Sequence, residues 1–142
     1  MVERFKEAQD VYYNDALEEI KSGKKKTHWI WFIFPQLKDL GISNTSKYYG
    51  LTKEETKEYY QDKTLKEHLI EITEVLYNVK DKTITDIVDY DDIKVQSCMT
   101  LFYVITKDKV FKKVLDKYFN GELDSRTLEL LGEWYNGRKT KV

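Results

Sequence analysis

The sequence predicts an all-α fold, a compact single-domain bundle of six to eight short helices spanning residues 1–132, with a basic tail over 133–142. Three observations lead there. Apolar residues recur at steps of three and four along most of the chain. Ser, Thr and Asp stand where helices should start, and Gly or Asn-Gly where they should stop. No two segments offer each other a convincing strand partner.

The first helix runs from about Glu3 to Ser22, with Phe5, Ala8, Tyr12, Ala16 and Ile20 on one face and Gly23 as its stop. The stretch "KKKTHWIWFIFPQLKDLG" then breaks the helical pattern. Thr52 stands three residues before Glu55, the capping-box spacing, so a short helix begins there. In "TLKEHLIEITEVLYNV", Leu65, Leu69, Ile72, Leu76 and Val79 form one stripe. Thr83 and Asp86 repeat the capping-box spacing at a short helical turn, "TITDIV". Asp91 or Asp92 caps "IKVQSCMTLFYVIT", whose β-branched and aromatic content also suits a strand; helix is preferred because no strand partner is in sight. Asp108 caps "KVFKKVLDKYF", which carries Phe111, Val114, Leu115 and Tyr118 and stops at Asn120-Gly121. Asp124 or Ser125 starts the last helix, "RTLELLGEWY".

Composition narrows the function classes. The 142 residues carry a net charge of -1, which gives no global field toward nucleic acid or an anionic membrane. The longest apolar run, Trp29–Phe34, is far shorter than the ~20 residues of a membrane helix. The single cysteine, Cys98, excludes an intrachain disulfide, and without a signal-peptide pattern the expected compartment is the cytoplasm. There is no glycine-rich phosphate loop, serine elbow or zinc-spaced cysteine cluster, and neither a metal nor a cofactor is expected.

The candidate chemistry gathers in "HWIWFIFPQ", His28 to Gln36. Extended or helical, the block is bulky on all sides and belongs in a core. Buried indole nitrogens, His28 and Gln36 nevertheless need hydrogen-bond partners, and a few polar groups in an apolar wall are the normal make-up of a ligand site. Lys24, Lys25 and Lys26 precede the block, either as a solvated loop end that complements the helix dipole or as phosphate contacts. Ser97 and Thr100 share one face of an apolar helix, either bonded back to the preceding turn or facing a polar cavity. Cys98 reads as buried and inert, and His68 with Glu71 as an ordinary helix-surface pair.

These blocks also carry a resemblance. "KSGKKKTHWIWFIFPQLKDLGIS", "ERFKEAQ", "SCMTLF" and "DSRTLELL" resemble the signature of an uncharacterised bacterial family, the domain of unknown function numbered 1810, from about Glu3 to Leu131. Some of its members carry the label calpastatin, which looks like a mislabelling. The resemblance implies a mainly helical cytoplasmic protein and carries no catalytic assignments.

Two functions follow as expectations. In the first, the chain binds or transforms a small phosphorylated or nucleotide-like ligand: Lys24, Lys25 or Lys26 meets the phosphate, Trp29 or Trp31 stacks on a ring or lines the wall, His28 is the general acid/base, and Gln36, Ser97 and Thr100 orient the ligand. In the second, a patch of Tyr48, Tyr49, Tyr59 and Tyr60 binds another protein or a second copy of the chain. Nucleic-acid binding is the weakest reading and membrane association is not expected.

Overall fold

In the computed structural model, which describes residues 1–132, the chain runs through α1 (Glu3–Lys21), α2 (Ile30–Ile33), α3 (Asn44–Tyr49), α4 (Lys53–Gln61), α5 (Lys63–Tyr77), α6 (Ile84–Val88), α7 (Asp92–Thr106), α8 (Lys109–Phe119) and α9 (Ser125–Leu131). A 3-10 turn, Asp89–Asp91, joins α6 to α7. Setting aside the single turn α2, eight helices are described, within the expected six to eight. The expected tail over 133–142 lies outside the described residues. No described helix is long and apolar enough to cross a membrane.

The caps follow the sequence closely. Thr52 with Glu55 and Thr83 with Asp86 form complete capping boxes, and Asp108 and Asp124 accept first-turn amides. Asp91 precedes α7 without a side-chain cap bond. Gly23, Asn120 and Gly121 take the positive φ that their stops require.

Helix α7 is the central element. It packs on α4, α8 and α9, while α5 bridges α1, α4 and α8. Val95, Cys98, Met99, Leu101, Phe102 and Val104 are all buried, so α7 is apolar around most of its circumference. A helix buried on all sides loses the amphipathic stripe, which is why its sequence reads ambiguously.

The phase of α1 is a correction. Its buried face is Phe5, Gln9, Tyr13, Ala16, Leu17 and Ile20, while Tyr12 is 44% exposed and Ala8 only half-buried. Two polar-ended side chains enter the interior because partners meet them there. Gln9 Nε2 donates to the Phe32 carbonyl at 2.8 Å and to the Tyr59 hydroxyl at 2.9 Å, and Tyr13 Oη donates to Glu71 Oε1 at 2.5 Å.

The aromatic block is one turn of helix with Trp29, Ile30, Phe32, Ile33 and Phe34 buried. The chain that follows is pinned by an isolated parallel bridge between Leu37 and Leu51. Lys38 N donates to Leu51 O at 2.7 Å, and Leu51 N to Gln36 O at 3.0 Å. Gly50 permits this approach, since a Cβ there would stand 2.8 Å from Lys38 Cα.

Candidate functional site

A cleft of about 230 Å³ opens where α2, the loop after it, α7 and the start of α9 meet. Trp31, Gln36 and Leu40 form one wall, Ile93, Lys94 and Ser97 the second, and Asp124 and Arg126 the third. Larger hollows of about 280 and 380 Å³ lie beside Tyr77, but none of their lining residues is buried. The cleft at Trp31 instead reaches two buried polar residues, Gln36 and Ser97.

Each wall has a local cause. The α2 turn buries Trp29 and leaves its neighbour Trp31 partly exposed. The Leu37–Leu51 bridge fixes Gln36, whose Nε2 makes a long bond of 3.4 Å to Phe34 O while no described donor reaches its Oε1. Lys94 lies over the Trp31 ring at 5.2 Å and pairs with Asp91 at 3.1 Å. Arg126 is exposed and makes no ion pair among the described residues.

Asp124 ties α9 to α7. Its Oδ2 accepts from Thr127 N at 3.0 Å, Thr127 Oγ1 at 2.6 Å and Ser97 Oγ at 3.1 Å, while its own amide donates to Thr100 Oγ1 at 2.8 Å. Ser97 Oγ also reaches back to Ile93 O at 3.0 Å. The Ser97 and Thr100 hydroxyls of α7 are therefore the docking points of a helix N-terminus. Ser97 reaches the cleft, whereas Thr100 is fully buried behind it. Asp124 Oδ1 has no donor among the described residues, so one acceptor stays available.

The remaining expected residues stand elsewhere. His28 is exposed and is not part of the cleft wall. Trp29 is only 1% exposed, with its indole N–H donating to Glu19 Oε1 at 3.0 Å. Lys24 pairs with Asp89 at 2.8 Å. Lys25 donates to Thr27 O at 2.7 Å, pairs with Asp91 at 3.1 Å and lies over the Trp29 ring at 5.0 Å. Lys26 presents its backbone N–H, not its ammonium, to Glu19 at 2.7 Å. Burial works to raise the Glu19 carboxyl, but donors from Lys26, Thr27 and Trp29 outweigh it and hold the group at about 2.

Of the four tyrosines expected at a surface, Tyr59 is fully buried and Tyr60 is half-buried, donating to Asp108 Oδ2 at 2.5 Å. Tyr48 and Tyr49 are joined instead by Tyr12, through ring contacts that run Tyr12–Phe32–Tyr49–Tyr48. Cys98 is fully buried, which pushes its thiol well above the usual range and leaves it inert. His68 stacks on Tyr13 at 3.7 Å, and its Nδ1 is 2.8 Å from Gln9 Oε1. A carbonyl only accepts, so the Phe32 bond fixes the Gln9 nitrogen and turns its oxygen to His68; Nδ1 must carry the proton. Among the described residues no three His, Cys, Asp or Glu side chains stand together as metal ligands.

Sequence reasoning did not identify Lys94, Asp124 or Arg126 as site residues. Asp124 was legible only as a cap, and nothing local marks the two cations.

Residues 1–131 match the family described as "Protein of unknown function (DUF1810)". A crystal structure of the conserved hypothetical protein Rv1873 from Mycobacterium tuberculosis is 38% identical, over 94% of this chain and 97% of that one, with a TM-score of 0.90. No curated protein matches the chain.

Proposed function

The chain belongs to the DUF1810 family, and for this member we propose that the cleft at Trp31 binds a small phosphorylated or nucleotide-like compound. One observation carries the reading: Trp31 and Gln36 meet Lys94, Ser97 and Arg126, far along the chain, around a single hollow. The Arg126 guanidinium, without an ion pair among the described residues, and the Lys94 ammonium suit a phosphate, for which charge-assisted hydrogen bonds are the strong ones. Asp124 Oδ1 and Gln36 Oε1 can accept from the N–H edge of a base or an amide. Trp31 offers a flat apolar wall. At about 230 Å³ the cleft is below the roughly 300–1,000 Å³ of drug-sized sites, which favours a mononucleotide or smaller over a dinucleotide. His28 has no part in this reading, and the Lys24–Lys26 run enters it only through Lys25, behind the wall.

The test is a titration with adenosine monophosphate, adenosine and inorganic phosphate, followed by tryptophan emission and calorimetry. Saturable binding of the monophosphate is expected, weaker for adenosine, with Arg126→Gln lowering affinity about five-fold or more. No saturable response to any of the three up to millimolar ligand overturns the reading.

A second reading has its own observation. The connected rings of Tyr12, Phe32, Tyr49 and Tyr48, with Tyr48 58% exposed and Val11 68% exposed, support a protein-binding surface. For the self-association form, light scattering should show mass rising with concentration in the parent and not in Tyr48→Ser. A monomer at every concentration removes that form.

A further inference from the structure

The carboxylate of Asp91 stands just behind the cleft and divides itself between two lysines. Its Oδ2 is 3.1 Å from Lys25 Nζ, and its Oδ1 is 3.1 Å from Lys94 Nζ. Each lysine in turn lies over a tryptophan, Lys25 over Trp29 at 5.0 Å and Lys94 over Trp31 at 5.2 Å. The two halves differ in how firmly they are held. The Lys25 side chain is 10% exposed and has a third anchor in the Thr27 carbonyl, whereas the Lys94 side chain is 34% exposed and lines the cleft.

We infer that Asp91 is an affinity-setting residue: by competing for the Lys94 ammonium, it fixes how much of that charge an anionic ligand in the cleft can use. This rests on the ligand reading of the same cleft. The physical chemistry is a competition between two anions for one cation. The lysine end of this pair faces the cleft, so a phosphate there can compete for it, yet each contact Lys94 keeps with Asp91 is one the ligand lacks. Lys25 is the counterweight. It occupies the other carboxylate oxygen and neutralises part of the charge, so removing it leaves Asp91 free to hold Lys94 harder. The 3-10 turn Asp89–Asp91 sets this geometry, because it brings Asp91 within one helical turn of Lys94 and against the loop that carries Lys25. The neighbouring Asp89 is committed to Lys24.

The two arms therefore move in opposite directions, which a merely structural role for the bridge would not produce. Affinity for adenosine monophosphate is measured at fixed ionic strength in the parent, Asp91→Asn, Lys25→Met, and Asp91→Asn combined with Lys94→Met. Urea midpoints confirm that each variant folds. The expectation is about two- to five-fold tighter binding in Asp91→Asn and about two- to five-fold weaker binding in Lys25→Met. The gain from Asp91→Asn should vanish when Lys94 is absent. If the parent binds and Asp91→Asn binds equally or more weakly, the inference falls while the ligand reading stands. If the parent binds neither the monophosphate nor inorganic phosphate, the ligand reading falls and takes this one with it. Should Asp91→Asn not fold, Lys25→Met decides alone: unchanged or tighter binding overturns the inference.

Discussion

Glu19 holds the indole N–H of Trp29 at 3.0 Å, and the same carboxylate oxygen gathers the amides of Lys26 at 2.7 Å and Thr27 at 3.0 Å. The last turn of α1 therefore organises the entry to the aromatic block. The Thr27 hydroxyl completes the set at 2.7 Å on the other oxygen. Glu19→Ala removes an acceptor from four donors, one of them the N–H of a nearly fully buried indole. The expected loss is about 1–3 kcal/mol, read as a urea midpoint. The pH dependence has a definite sign. The folded carboxyl sits at about 2, below its ordinary 4.5, so its contribution is present above 4.5 and is lost as pH falls toward 2. Glu19→Gln should flatten that part of the acid-unfolding curve; an unchanged curve would remove Glu19 from the account.

Asp124 should be the residue whose loss most directly frees α9. Asp124→Ala takes away the N-cap and leaves the buried hydroxyls of Ser97 and Thr127 without that acceptor. A cap is worth about 1 kcal/mol and the Thr127 hydroxyl, left without its acceptor, adds to it, while Ser97 keeps the Ile93 carbonyl, so the expected cost is about 2–3 kcal/mol. Asp124→Asn keeps an acceptor oxygen and should recover part of it. Equal midpoints for parent and Asp124→Ala would contradict the clamp.

His68 should make stability depend on pH below neutrality. Burial lowers its pKa from 6.5, outweighing the opposite pull of Glu71, Asp10 and Glu67. Below 6.5 the unfolded chain binds more protons than the folded one, so stability is full above 6.5 and falls as pH drops toward the folded value. His68→Phe keeps a ring against Tyr13 and should abolish this slope below neutral pH. Nitrogen chemical shifts at neutral pH should show the Nδ1–H tautomer; an Nε2–H pattern would contradict the Gln9 orientation.

Thr73 offers a stabilising change. It is fully buried in α5, and its hydroxyl has no hydrogen-bond partner among the described residues. Valine has nearly the same shape and no stranded oxygen, so Thr73→Val should raise stability by about 1 kcal/mol or more. A lower melting point would mean that the hydroxyl has a partner after all.

Most of the fold was legible because its signals are local. Both capping boxes, the Asp108 and Asp124 caps and the Gly23 and Asn120-Gly121 stops make their bonds within six residues along the chain. The stripe of α5 appears as read from Leu65 to Leu76, with Thr73 added and Val79 only half-buried. The α1 face was misplaced where burial depends on partners from other helices: Gln9 and Tyr13 go inside because Phe32, Tyr59 and Glu71 receive them. Helix α3 was missed because its Ser43 cap precedes a short polar and aromatic run with no apolar stripe.

The sequence by itself determined that this chain is helical, where most of its helices begin and end, and that most of the apolar residues of "HWIWFIFPQ" go into the core. It also singled out Trp31, Gln36 and Ser97. Only the tertiary structure decided that these three face one hollow, that Lys94, Asp124 and Arg126 complete it, and that His28 stands outside it. The reason is range. A cap or a stripe is written within one or two turns, whereas Ser97 meets Asp124, 27 residues on, and Lys25 shares Asp91 with Lys94 only after α6 and the 3-10 turn have folded back over the end of α1.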